Sequence, residues 1–222
     1  MGVNVPSIAD RSKIPIAKEG IPYIFLATFF TVVFAILHWV SLTCVFLATT
    51  VLVVNFFRDP ERIIPSEPDL VVSPADGRII AVEKVQEEIF LHCQVIKISI
   101  FMTIFNVHVN RVPCSGKVKE VKHWPGRFLS ANKKRSSIEN ERNAVLLDME
   151  GRRQLVVVQV AGLIARRIVC WAKPGDYVAR GERFGMIRFG SRLDVYVPID
   201  SNIMVKRGNK VRAGESVLCR LT

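Results

Sequence analysis

A serine hydroxyl beside its own preceding carbonyl is a latent nucleophile, and Gly190-Ser191 offers that pair. If the turn is strained, Oγ of Ser191 can attack the Gly190 carbonyl and exchange the amide for an ester. Glycine presents no side chain to block the attack and tolerates unusual dihedrals. β-Elimination of the ester would leave dehydroalanine at a new N-terminus, and hydrolysis with loss of ammonia would leave a ketone. Such chemistry needs a base near Ser191 and a donor for the oxyanion. Taken alone, Gly-Ser is far more often an ordinary turn than a reactive site.

Other chemistry-bearing residues are sparse. His108 alternates with Val107 and Val109, so in a strand it faces away from them. Asp76 sits in Ala75-Asp76-Gly77, where an aspartate commonly stabilises a turn. The five cysteines contain no CxxC pair, which argues against a zinc site or a disulfide scaffold and fits free thiols in a reducing compartment. No metal is expected. The net charge of +11 predicts an acidic partner, either nucleic acid or an anionic membrane surface. An apolar content of 50% excludes a disordered chain.

Between Ile21 and Phe57 there is no Asp, Glu, Lys or Arg. As one helix this stretch would run about 55 Å, too long for a single crossing. His38, Trp39, Ser41 and Thr43 break its middle, predicting two helices, at 21–37 and 41–56, folded as a hairpin. Lys13 and Lys18 precede it and Arg58 and Arg62 follow, which places both ends in the cytoplasm. The expected organisation is a cytoplasmic segment 1–20, a membrane-anchoring hairpin 21–57 and a basic domain 58–222.

Beyond Pro68 the texture changes to short β-branched runs such as Val95–Ile100, Leu155–Val160 and Val217–Leu221. They predict a β-rich domain, with a long polar loop over 126–143. Two internal echoes stand out. Pro74-Ala-Asp-Gly-Arg-Ile-Ile-Ala-Val82 matches Pro113-Cys-Ser-Gly-Lys-Val-Lys-Glu-Val121, and Gly175-Asp-Tyr-Val-Ala-Arg-Gly-Glu182 matches Gly208-Asn-Lys-Val-Arg-Ala-Gly-Glu215. The glycines of the second pair suit positive-φ turns, with the intervening valine pointing inward. This pattern resembles the lipoyl/biotinyl-type barrel-sandwich of intertwined β-hammerheads. The predicted fold class is therefore mainly β, preceded by the helical hairpin. A lipoyl-type carrier would show a modifiable lysine at a hairpin tip; between Lys173 and Lys206 there is none, and Phe189-Gly-Ser-Arg192 stands in that region.

Six ordered blocks make a more specific match. They are Asn55-Phe-Phe-Arg-Asp-Pro-Glu-Arg62, Ser73-Pro-Ala-Asp-Gly-Arg78, Asn106-Val-His-Val-Asn-Arg-Val-Pro113, Glu139-Asn-Glu-Arg-Asn143, Ala161-Gly-Leu-Ile-Ala-Arg-Arg-Ile-Val169 and Phe189-Gly-Ser-Arg-Leu-Asp-Val195. Together they resemble the phosphatidylserine decarboxylase proenzymes of the short bacterial, membrane-anchored type. The resemblance implies self-cleavage between Gly190 and Ser191 into a β chain, 1–190, and an α chain, 191–222, that stay associated. Ser191 would become a covalent pyruvoyl cofactor. The amine of phosphatidylserine would form a Schiff base with it, and loss of CO₂ into that electron sink would yield phosphatidylethanolamine. The implied location is the cell membrane, with the catalytic domain on the cytoplasmic face. Each Lys or Arg near an anionic surface would contribute about 1 kcal/mol.

The resemblance also assigns residues. His108 takes the catalytic histidine position and proton transfer, and Asp76 joins the self-processing site. Longer relatives often carry a second histidine three residues on; here that position is Arg111, which leaves either His108 or Asp76 as the base for cleavage. Asn140 and Arg142 would close the preceding loop, with Lys133-Lys134-Arg135, over the site, and Arg142 would bind a phosphodiester or carboxylate. Arg166 and Arg167 are similar candidates. A homo-oligomer of αβ units remains open, and no nucleic-acid partner is expected. The rival of another class is a membrane-anchored lipoyl-like adaptor without catalysis, but no sustained heptad run is visible for the coiled coil such proteins usually carry.

Overall fold

The computed structural model describes residues 15–126, 140–149, 151, 153–162, 167–188 and 191–222. It separates into two units, a small one ending at Glu61 and a large one beginning at Arg62.

The small unit is a helical hairpin. Helix α1 (Ile21–Ile36) carries Pro22 in its first turn, where the missing N–H costs nothing. Helix α2 (Val40–Phe56) returns after a turn in which His38 adopts φ 57°. The ring of Phe46 packs against Phe34 at 5.1 Å and Phe30 at 5.4 Å. Thr31 and Thr50 each donate to a carbonyl one turn back and meet across the pair at 3.1 Å. Phe25, Ile36, Val40 and Val51 are exposed on its outside. By length and composition, Lys18–Ile36 suffices to cross a membrane, whereas Val40–Phe56 is shorter.

The large unit is mainly β. Its strands are β1 (Leu70–Val72), β2 (Gly77–Glu87), β3 (Cys93–Met102), β4 (Val109–Arg111), β5 (Gly116–Trp124), β6 (Arg142–Asp148), β7 (Gln154–Val160), β8 (Ile168–Cys170), β9 (Tyr177–Val178), β10 (Arg183–Ile187), β11 (Ser191–Pro198), β12 (Asn202–Ile203), β13 (Lys210–Val211) and β14 (Val217–Arg220). One curled sheet of eight strands runs β13-β2-β3-β11-β7-β6-β5-β9, and two three-stranded sheets run β4-β10-β8 and β1-β14-β12. Of the predicted polar loop, residues 127–139 lie outside the described residues, and Arg142 and Asn143 already belong to β6.

The echoes found in the sequence dock on one another in a nested order. Gly208 donates to Ile79 O and Ile79 N–H returns to Asn209 O; Gly175 donates to Val118 O and Val118 N–H returns to Asp176 O. Likewise Gly214 donates to Ser73 O and Gly181 to Val112 O. Thus the pairing is nested: the first Pro-x-x-Gly segment takes the second Gly-x-x-Val segment, and the second takes the first. Gly175 and Gly208 share φ 97°, a conformation only glycine adopts without strain. Val178 and Val211 are buried as expected.

Period-two alternation sorts the central strands into faces. Ile96, Ile98, Ile100 and Met102 on β3, Leu193, Val195 and Val197 on β11, and Leu155 and Val157 on β7 look inward, against Phe184, Ile187, Leu218 and Val112 of the smaller layers and connections. The outer face of β6 and β7 carries Ala144, Leu146 and Val156, covered by Phe90, Leu91 and Trp124.

Two thiols sit in this core. Burial pushes the Cys114 thiol up to about 12, with Cys219 adding to the effect, and burial does the same to Cys219. Both favour the neutral form in the fold, so their stabilising contribution is intact below the ordinary thiol value of 9.0 and is lost as pH rises towards 12. The urea midpoint in detergent should fall across that window, and Cys114→Ala should flatten the fall. An unchanged slope in the variant would contradict this burial.

Candidate active site

Ser191 is the first residue of β11 and sits opposite Met102 of β3. It shares the inward phase of Leu193, is fully buried, and donates its hydroxyl to Met102 Sδ at 3.4 Å. A thioether is a weak acceptor, so this hydroxyl is held in a dry place without being strongly engaged. Gly190 lies outside the described residues.

His108 is also fully buried. It directly precedes β4 and shares, at period two, the face of Asn110. That face looks at Met102, whose sulfur lies 4.0 Å from Asn110 Nδ2. One sulfur therefore links the strand bearing Ser191 to the strand following His108.

Asp76 stands elsewhere in the same region. Its turn abuts β4, since Arg111 N–H donates to Pro74 O at 2.9 Å. Its carboxylate receives Arg62 Nη2 at 2.9 and 3.0 Å and the Ala213 N–H at 2.8 Å. The internal echo explains the second bond: the equivalent residue Ser115 receives the N–H of Arg180, which is equivalent to Ala213. Asp76 thus caps a turn that a serine caps on the other side, with an ion pair added.

Arg142 and Asn140 lie at the Ser191 end of β6 and β7. Asn140 Nδ2 donates to Ala161 O at 2.7 Å. Arg142 belongs to the outer face, its guanidinium 4.9 Å from the Trp124 ring centroid, while Ser191 faces inward. Arg166 and the Lys133-Lys134-Arg135 run lie outside the described residues. A buried pair flanks Ser191 on that outer face, Arg192 Nε to Asp194 Oδ1 at 2.9 Å and Nη2 to Oδ2 at 3.0 Å.

Sequence reasoning missed three amides. Gln159 Nε2 donates to Asn110 Oδ1 at 2.9 Å and to Val169 O at 3.4 Å, and Asn143 Nδ2 donates to Gln159 Oε1 at 3.0 Å. All three are buried. The signal was the single amide in the apolar run Leu155–Val160, at an inward position of β7. Beyond Asn143 lies Cys170, whose thiol is raised by burial and partly relieved by its bonds to Ala172 and Asn143. A cavity of about 640 Å³ opens at the opposite end of β6, lined by Asp148, Lys117, Arg153 and Arg180, and includes none of the predicted site residues.

The fold is thus a mainly β domain with a buried serine at the head of a central strand and a buried histidine just before β4, in a chain that also carries an apolar helical hairpin. The comparisons give the family. A model of phosphatidylserine decarboxylase matches residues 49–219. The phosphatidylserine decarboxylase proenzyme of Desulfotalea psychrophila is 48% identical over 94% of this chain and 97% of its own. Those of Geotalea uraniireducens (51%, 92% and 95%) and Ralstonia nicotianae (47%, 93% and 95%) are similarly close. The chain belongs to the phosphatidylserine decarboxylase family.

The Arg62–Asp76 pair has side chains only 8% and 13% exposed. Arg62→Ala leaves a largely buried carboxylate without its cation and should cost about 3 kcal/mol. Adding Asp76→Ser, which copies the Ser115 cap, should restore part of that loss in urea unfolding. Strictly additive losses would show that the pair is not coupled.

Proposed function

We propose that this chain is a self-processing, pyruvoyl-dependent decarboxylase that converts phosphatidylserine to phosphatidylethanolamine at the cell membrane. The observation that carries the reading is the Ser191 hydroxyl, fully buried and resting on a thioether. Water would hydrolyse a strained ester before it could eliminate, so a dry serine suits this route. In the self-cleavage, Oγ bonds to the Gly190 carbonyl carbon and the amide C–N bond breaks as the nitrogen takes a proton. In the elimination a base takes the Cα proton of residue 191 as the Oγ–Cβ bond breaks, leaving Gly190 with a carboxylate and residue 191 as dehydroalanine. Hydrolysis releases ammonia.

The site fits a pyruvoyl group in two respects: its precursor serine is in place, and Asn110 supplies an N–H at the same sulfur. Once formed, that group supplies an electron sink for the carboxylate's bonding pair. His108, buried just before β4, is assigned the proton transfers. Asp76, engaged by Arg62 and Ala213, is assigned the shape of the adjoining turn. Arg142 is assigned the anionic head group, with Asn140 fixing the chain that leads to it and Arg166 as a further cation.

The hairpin at 21–57 is assigned to hold domain 58–222 at the cytoplasmic face, where a lipid substrate is within reach without leaving the bilayer. The docking of each Pro-x-x-Gly segment on a Gly-x-x-Val segment favours a lipoyl-like barrel-sandwich for that domain.

Detergent-purified protein should resolve into 1–190 and 191–222, the shorter chain lacking a free amino terminus. Borohydride with labelled phosphatidylserine should tag that chain. Ser191→Ala should remain a single chain and release no CO₂. A wild-type chain that stays intact, or a short chain beginning with serine, would overturn the reading.

A further inference from the structure

We propose that Asn143, Gln159 and Asn110 form a polarised amide relay that keeps an N–H, rather than a carbonyl oxygen, turned towards the Ser191 hydroxyl, and that they act as positioning residues for self-cleavage. The inference rests on the reading of Ser191 as a self-processing residue.

The polarity follows from one backbone group. The carbonyl of Val169 can only accept, so the amide end of Gln159 facing it is Nε2. The other end is therefore Oε1, which takes the Asn143 N–H at 3.0 Å. The second hydrogen of Gln159 Nε2 goes to Asn110, whose facing atom is Oδ1, at 2.9 Å. Asn110 Nδ2 is then the end aimed at Met102 Sδ, the sulfur that receives the Ser191 hydroxyl. Each step leaves one orientation for the next amide.

The fold makes room for this arrangement. A Cβ at Gly185 would strike the Val169 carbonyl and lie 2.8 Å from Gln159 Nε2. Gly185 is the cross-strand partner of Asn110 on one side and Cys170 on the other, so the close approach is built into β10. The surrounding inner face is Val, Ile and Leu, and three apolar side chains would have filled the space without any amide to satisfy. As the serine oxygen attacks, negative charge grows on the oxygen of the carbonyl attacked. An N–H in the pocket is of the right sign for it, and a misdirected carbonyl oxygen is of the wrong sign.

Gln159→Glu tests the polarity at nearly constant shape. As a carboxylate, residue 159 accepts only, so Asn110 must turn Nδ2 towards it and present Oδ1 to Ser191. As a neutral acid, its O–H donates to Asn110 and its carbonyl accepts from Asn143, restoring the original sense. Burial raises a carboxyl pKa, which brings that change into an accessible range. The titratable groups around this position are His108, on the approach to β4, and Cys170 on β8. The strands on either side present Leu193 and Asn143, β10 presents Gly185, and Arg192 and Asp194 turn to the outer face.

Disappearance of the intact full-length chain would be followed by gel and mass spectrometry in detergent between about pH 5 and about pH 9. Relative to wild type at each pH, Gln159→Glu should cleave at least about tenfold more slowly at the alkaline end and recover towards the acid end. Gln159→Met should be slowed by a similar factor with no recovery. Wild-type rates in either folded variant, judged by near-ultraviolet circular dichroism, would overturn the relay, as would a slowing of Gln159→Glu that does not depend on pH. Loss of fold in both variants would assign the amides to structure alone and equally overturn it. If the wild-type chain itself is not cleaved and matches Ser191→Ala, it is the self-processing reading that fails.

Discussion

The nested docking of two repeated segments is the constraint from which the rest of the large unit follows. Gly175 and Gly208, at the same positive φ, each place an N–H on the carbonyl of a strand far away in sequence, and each strand returns the bond. Because the pairs are nested, the outer one, Ile79 with Gly208, closes around the inner one, Val118 with Gly175. The closure carries the turn at Pro74 onto β4, and β4 in turn brings Asn110 over Met102. Long-range backbone pairing thus sets the position of the site before any side chain within it is considered.

On that frame the inner face changes character at one end. Most of it is aliphatic and dry, yet the rows nearest the head of β11 hold Ser191, Gln159 and Asn143, and β4 adds Asn110. Buried amides left unpaired cost about 1–3 kcal/mol each, so a partly satisfied set would be a liability. Here the partners are arranged in sequence and end on a sulfur, the weakest acceptor in the set. A hydroxyl that must leave its partner to react is better served by such an acceptor than by a carboxylate.

What could be read from the sequence depended on the range of the interaction. The break in the apolar stretch at His38 was legible, because a turn is local, and the structure ends α1 and starts α2 within a residue of the expected positions. The glycine turns were legible for the same reason. The role of Asp76 was legible only in part: the echo with Ser115 was visible in the aligned repeats, but the Arg62 beside it was not. The stacking of Arg142 on Trp124 joins two strands across a segment whose composition says nothing of how it returns. Gln159 was hidden by its context, since one amide in an aliphatic run carries no periodic signal, and its significance comes from Asn110, Val169 and Asn143, three partners on three other strands or their ends.

The location of Ser191 at the start of β11, rather than within it, bears on what a break before it would do. From Ser191 opposite Met102 to Pro198 opposite Val95, β11 is bonded to β3, and on its other edge it is bonded to β7. Further along, β13 pairs with β2, and β14 lies between β1 and β12. Leu193, Val195, Val197, Val211 and Leu218 are all buried in the common core. A cut at the 190–191 bond would therefore remove one covalent link while leaving two strand edges, three further strands and a shared apolar interior in place. The chain can lose continuity there without losing its fold, and the new end at residue 191 would emerge beside Met102, the sulfur that Asn110 also meets, instead of in solvent.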